Sequence, residues 1–524
     1  MINLCRANQK GFTLVVAFLI AMLLSILIAA VIGRGIAEYT LAERSRAYLE
    51  TFYLAEAGLT QAAYDLAYYE ANQIPVPPDL SGNPVSVTVP GASGTVQYVW
   101  VDLLGAENPD ALIIDPEGLN YYLRNYRLSA TATHNKFGTQ VTVNQIICRS
   151  RAYIFQFAVF YEDDLEILPG PGMTFSGKIH SNHDIYLGTH NSLSINSNYL
   201  RSAARIFNGR KDSNQEMNGY VEILNRITMI MRRMKIGQEQ PLDCERSDWE
   251  TESQVRWGGT VKSSVHGVNS LAAPDVGSIQ PDGYFAQNAR LKIIDSTAYV
   301  DGVPVVLPSG TISTATFWNV RENKNITVTD IDMSLLNASE WFPSNGLLYV
   351  TRTDSSPTQP NSIRFKNGST LAGPLTVVSN DPVYIQGNYN NVDKKPASVI
   401  CDALNILSNN WNDSTPLGDR VATNTEANAA FIAGNNTTSI GDYNGGLENY
   451  PRFLENWSGK IFKYRGSFVG LWNSQLAQGR WDRGGYTPPN RDWNYDTDFN
   501  NSNKLPPFTP YAVETIPIAW WKSN

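Results

Sequence analysis

The sequence predicts an α+β chain: one long N-terminal helix, a small antiparallel hairpin module, then a large β-rich region of parallel β-helix or solenoid character. Three observations predict it. Phe12 to Ile32 is a run of 21 residues without a charge, which as a helix rises about 31 Å, enough to cross the hydrocarbon core of a bilayer. Asn120 to Tyr153 holds two long alternating runs separated by a turn at Asn135 to Gly138, the pattern of a hairpin. From Ala158 onward, apolar pieces of three or four residues alternate with Gly, Asn, Ser and Pro turns.

The first element is a short basic leader ending in Lys10-Gly11, followed by the uncharged run. No small-residue signal-peptidase site follows it. The helical pattern instead continues through Glu38, Glu43, Arg44, Arg46 and Glu50 to about Tyr69, and Ile74-Pro75-Val76-Pro77-Pro78 stops it, because proline lacks the N–H and the φ freedom to continue. Pro84 to Val101 alternates as a strand pair around Gly91 to Gly94, and the hairpin after it closes a small module near residue 153.

In the β-rich region, pieces such as Lys178-Ile179-His180, Asp184-Ile185-Tyr186-Leu187, Leu375-Thr376-Val377-Val378 and Ser398-Val399-Ile400 are short for a sandwich sheet. They suit coils that stack on one another, with Val and Ile inside and Asn at the corners; an ordinary β-sandwich is the alternative. Val221, Leu224, Ile227, Ile230 and Met231 within Gly219 to Met234 are spaced as one helical face. The expected organisation is a leader at 1–11, a transmembrane helix at 12–73, a β module at 74–153, a stacked β domain at 154–450 with an insertion near 198–300, and a cap at 451–524. That last segment carries six of the twelve tryptophans, at 457, 472, 481, 493, 520 and 521.

Composition narrows the function classes. Charged residues are 17% and aromatics 11% of 524 residues, a turn-rich β composition rather than a disordered one. The formal charge of −8 becomes −10 when Arg6 and Lys10 leave with the leader, and without a basic tract nucleic acid is not an expected partner. Cys5 leaves too; Cys148, Cys244 and Cys401 allow at most one intramolecular disulfide.

Motifs that carry catalysis are missing: no Walker loop, His-Glu-x-x-His, Gly-x-Ser-x-Gly or dinucleotide fingerprint occurs. No cofactor is expected. His180 and His183 are weak metal candidates, since on one strand their side chains point to opposite faces. Asp496, Asp498 and Asn500 alternate as calcium ligands do, but Asn501 replaces the EF-hand glycine and Pro507 its glutamate, so a solvated loop is expected and a less regular calcium site is the alternative. Glu162, Asp163, Asp164 and Glu166 are the nearest approach to a glycosidase carboxylate pair, and charged turn residues explain them equally. Trp472, Trp481 and Trp493 are candidates for sugar stacking, set against the simpler role of buried cap residues.

The N-terminal residues resemble a known family. Lys10-Gly11-Phe12-Thr13-Leu14 is similar to the processing site of type IV prepilins and type II secretion pseudopilins, and Tyr53-Leu54-Ala55-Glu56-Ala57-Gly58-Leu59 resembles the helix of PilX-type minor pilins. Gly177 to Asn182, Asp381 to Tyr389 and Glu448 to Trp457 resemble recurring segments of long minor-pilin-like proteins. The resemblance implies cleavage between Gly11 and Phe12 by a membrane prepilin peptidase, N-methylation of Phe12, residence in the bacterial inner membrane, and assembly with other pilin subunits into a surface filament. It carries no catalytic residues. Where most pilins have a glutamate five residues into the mature chain, this sequence has Val16, the departure expected of a tip or priming subunit. The function expected is therefore a non-enzymatic minor pilus subunit for assembly, tip priming or adhesion to a surface glycan or protein. The alternatives are an anchored β-helix that binds or cleaves polysaccharide, and a secretion pseudopilin. An ordinary signal anchor is the plain alternative for the N-terminus.

Overall fold

In the computed structural model, the described residues are 9–105, 107–213, 215–436, 438–441, 443 and 446–523. Leader residues 1–8, including Cys5 and Arg6, lie outside them. A single stem helix, Gln9–Ala71, runs 63 residues, or about 95 Å. No residue from Gly11 to Arg46 is buried. From Ala47 the helix acquires a packed face of Ala47, Thr51, Leu54, Ala55, Leu59, Ala62 and Leu66, the three- and four-residue spacing of one helical stripe.

That stripe lies on an antiparallel sheet of Gly94–Asp102, Asn120–His134 and Gln140–Tyr153, against Val96, Tyr98, Trp100, Leu128, Ala130 and Val143. Gly58 sits at the closest approach, where an added Cβ would meet Val96 Cγ2 at 2.6 Å and Ala130 Cβ at 3.0 Å. We expect Gly58→Val to destabilise this module by about 1–3 kcal/mol through overpacking. Thermal unfolding would show it as a lowered midpoint, with partial recovery on adding Val96→Ala.

The body is a stack of parallel coils with an unusual chain path. Val159–Tyr161 pairs with Ile179–Ser181, that with Leu200–Ser202, and that with Val261–Lys262. Leu165–Ile167 with Ile185–Leu187, and Met173–Ser176 with Ser192–Asn196, build two further rows alongside. After Lys262 the chain crosses to the far end of the stack and begins again at Leu291–Ile294. It then returns through Leu347–Thr351, Leu375–Val378, Ala397–Cys401 and Ala430–Ala433 to Phe468–Gly470. Phe468–Gly470 pairs in parallel with Val159–Tyr161. Two half-stacks therefore meet at a seam in the middle of one long sheet.

Inside the coils Ile179, Ile185, Leu193, Leu348, Val377, Val399 and Phe431 form one continuous core. On the outer face of the long sheet, Phe160, Tyr349, Val378 and Ile400 are covered by Leu271, Ile279 and Phe285 from the crossing segment and by Phe499. Leu347–Thr351 and Ala397–Cys401 are buried at every position, as expected of parallel strands covered on both faces.

Three expectations need correction. Gly219 to Met234 is a hairpin, not a helix: Tyr220–Asn225 pairs with Ile230–Arg233. Asn225 Oδ1 accepts the N–H groups of Ile227 at 3.0 Å and Thr228 at 2.9 Å, and Met229 takes a positive φ of 56°. The turn and the free edge of Ser192–Asn196, to which Tyr220–Asn225 pairs, override the helical spacing; Ile227 and Ile230 end up exposed. The expected insertion near 198–300 starts too early, because Leu200–Ser202, Ile206–Asn208 and Tyr220–Asn225 extend the first half-stack.

The segment 451–524 is not a cap. Ile461–Gly466, Phe468–Gly470 and Asn490–Tyr495 lie within the stack, and the closing strand Tyr511–Lys522 pairs antiparallel with Gln140–Tyr153 of the N-terminal sheet. The ends of the stack are covered instead by the hairpin Thr297–Val300 with Val303–Val305 and by the helix Trp249–Trp257. Cys148, Cys244 and Cys401 are unpaired.

Candidate functional site

The stem is the first candidate. Its most apolar window has a mean hydropathy of 3.2, and none of that window is buried among the described residues. The Gly11–Phe12 bond lies at the free end of this helix, with the Phe12 ring 75% exposed. Val16 lies four residues on, one turn further along the helix, so the outermost turns carry no carboxylate. Each fully buried Leu, Ile or Phe contributes about 1.5–3 kcal/mol, so a run of them left uncovered is stable in lipid or against other apolar helices. The polar half begins with Arg34–Glu38 and Arg46–Glu50 pairs at 2.8 Å, and Lys136 of the hairpin turn reaches Glu43 at 3.1 Å.

The stem is joined to the body by direct contacts. Tyr68 donates to Asp275 Oδ2 at 3.0 Å, the Asp275 N–H donates to Asn72 Oδ1 at 3.0 Å, and Ala272 bridges Val513 of the closing strand. Beside this joint, buried Arg149 pairs with Glu70 and Asp110, Arg151 pairs with both, and Arg124 pairs with Asp102 and Asp110. Burial is the largest single influence on Asp102 and works to raise its pKa, but the Arg124 hydrogen bond and charge together with the backbone N–H groups of Leu104 and Gly105 outweigh it, and the carboxyl is held below its ordinary value. These contacts and this charge network tie the polar half of the stem to the N-terminal sheet and to the crossing segment, and leave the apolar half uncovered among the described residues.

The candidate metal residues do not converge. His180 is buried, stacked on Phe160 at 5.3 Å, with Nε2 3.0 Å from Asn182 Oδ1. Burial pulls its pKa down to about 4. Asn182 in turn donates to Glu162 and to the Leu271 carbonyl and accepts the Leu271 N–H, so this group pins the crossing segment to the sheet. His183 faces a different cleft. Among the described residues no cluster of three His, Cys, Asp or Glu side chains is arranged to hold a metal.

At the other candidate cation site, Lys394 Nζ lies 2.8–2.9 Å from both Asp496 oxygens and 2.8 Å from Asp498, and Lys504 is 2.7 Å from Asp498. Ammonium groups already neutralise these carboxylates. Asn500 Oδ1 accepts from the Tyr495 hydroxyl instead.

The tryptophans form no stacking platform. Trp493 lies in the core against Phe468 at 5.0 Å, and Trp472 is buried with its Nε1 donating to the Cys401 carbonyl. Trp481 is half-buried and donates to the Tyr443 carbonyl at 2.6 Å. Trp520 and Trp521 are the exposed pair, on the closing strand beside the stem, where Trp520 meets Phe52 at 6.0 Å.

The seam does gather residues that are far apart in sequence. Asp163, Asp164, Glu166 and His183 from one half-stack share a cleft with Asn435, Asn436, Trp472 and Asn473 from the other, and Lys211 lies at its side. Lys211 and the asparagines carry no signal in the sequence, because nothing local tells that the two halves meet.

No family model matches the chain, and no curated protein matches it. Among solved structures, the competence-associated pilin ComZ from Thermus thermophilus aligns over 91% of this chain and 97% of its own, with 12% identity and a TM-score of 0.28.

Proposed function

We propose that this chain is a minor subunit of a type IV pilus or pilus-like filament, held in the inner membrane by its stem and later packed by that stem among other pilin helices. The observation that carries this is the division of one continuous helix: an uncovered apolar half, and a half fixed to a folded module that joins the body. A plain membrane anchor needs no packed continuation of this kind. The resemblance around Gly11-Phe12 supports cleavage there by a prepilin peptidase and methylation of Phe12. Val16 removes the carboxylate that would meet a terminal amine above it, which favours a tip or priming position. In this proposal the β body is displayed, structural and non-enzymatic.

Mass spectrometry of the N-terminal peptide from the native host tests it. A chain starting at methylated Phe12, and filament loss on deleting the gene, are the expected results. A chain starting at Met1 would overturn the proposal.

A further inference from the structure

We infer that the cleft at the seam between the two half-stacks binds one ring of a neutral, hydroxyl-rich saccharide. The cleft is about 190 Å³, below the roughly 300 Å³ at which drug-sized pockets begin, so it has room for one sugar ring. Its walls come from both half-stacks: Asp164 and Glu166 from the coil beginning at the first seam strand, Lys211 two coils further, and Asn435 and Trp472 from the coils that end at the second.

Glu166 is the group that asks for a ligand. Its side chain lies on Leu165–Ile167 with 6% of its surface exposed. Thr438 hydrogen-bonds the carboxyl, yet Oε2 is fully buried and has no partner among the described residues. An unmet buried acceptor is costly, and a hydroxyl donated from the cleft would satisfy it. Burial raises the Glu166 pKa to about 7, so the group is able to accept or donate.

The surroundings decide the ligand class. Lys211 is held 2.8 Å from Asp164 and its charge also reaches Glu166, so three carboxylates of the lining, Asp163, Asp164 and Glu166, share one ammonium. Anionic ligands such as phosphates and uronic acids are therefore disfavoured. The lining is mostly amides and carboxylates rather than apolar side chains, which disfavours lipid. Carboxylate and amide groups converging in a small cleft pair with the hydroxyls of a neutral sugar through hydrogen bonds.

This proposal does not depend on filament assembly, and its test uses the detergent-solubilised full chain. Saturation-transfer NMR with methyl glucoside, methyl galactoside and N-acetylglucosamine, and with glucuronate as the anionic comparison, should show transfer to at least one neutral sugar and none to glucuronate. Glu166→Gln should weaken that binding at least fivefold with the unfolding midpoint unchanged. Should that variant fail to fold, Asp163→Ala at the exposed rim replaces it, with at least a twofold loss expected. No transfer to any neutral sugar at millimolar concentration, stronger transfer to glucuronate, or full binding by the variant would each overturn the proposal.

Discussion

Ending the chain after Thr509 is expected to unfold the N-terminal module while the stacked body remains folded. The closing strand Tyr511–Lys522 supplies the outer ladder of Gln140–Tyr153. It also buries Ala512 and Val513, stacks Tyr511 on Tyr153 at 4.6 Å, and places Tyr511 under the Arg151 guanidinium. Cross-strand pairs contribute about 0.2–1 kcal/mol each, and burying a valine about 1.5–3 kcal/mol more. A loss of about 4 kcal/mol is the result, or roughly 15 °C or more for a module of this size. The body keeps its seam and its internal core, which this strand does not build. Thermal circular dichroism should show the first transition lowered and the second retained, and limited proteolysis should cut in the hairpin Asn120 to Tyr153. An unchanged first transition would mean that the closing strand is ornamental.

That experiment turns on a feature invisible in the sequence. The stem is legible because its determinants are local: a charge-free run, then polar residues, then Pro75. The hairpin is legible for the same reason, its two alternating runs separated by Asn135 to Gly138. The short parallel strands are legible as texture, since burial on both faces leaves unbroken apolar pieces such as Leu347–Thr351. Pairings between distant residues leave no such trace. Val159 meets Phe468 across the seam, and Tyr511 meets Tyr153, but nothing at either position names its partner.

Aromatic residues mislead for a related reason. Trp472, Trp493, Trp520 and Trp521 look alike in sequence, yet two are core and two stand exposed beside the stem. His180 has the company of a metal ligand and the surroundings of a buried ring that holds Asn182. Gly58 is the opposite case. As a letter of the Tyr53 to Leu59 resemblance it has no evident purpose, and the 2.6 Å approach of Val96 supplies one.

Within the body, Arg364→Met should be the most destabilising single change. Arg364 is buried on Ser362–Lys366, and Asp330 on the neighbouring strand is its register partner, with contacts of 2.6 and 2.8 Å. Asp413 closes the other side at 2.5 and 2.9 Å. Methionine preserves much of the volume but leaves buried Asp330 with Lys366 alone, at 2.8 Å. Breaking one partner of such a pair costs about 3–5 kcal/mol, whereas replacing both is often close to neutral. Adding Asp330→Leu to Arg364→Met should therefore recover part of the loss, and a double-mutant cycle in denaturant measures the coupling. Acid provides a second readout. Burial is the largest single influence on Asp413 and works to raise its pKa, but the Arg364 hydrogen bond and charge, with smaller help from Trp411 and Lys366, together outweigh it, so the folded value lies below the ordinary one. A lowered folded pKa gives stability that is present above the unfolded value and lost as pH falls through the folded one. The wild-type body should thus lose stability below about pH 4, and Arg364→Met, having already lost this contribution, should lose less over the same acid range. Equal acid sensitivity in the two proteins would show that Arg364 is not what holds Asp413 ionised.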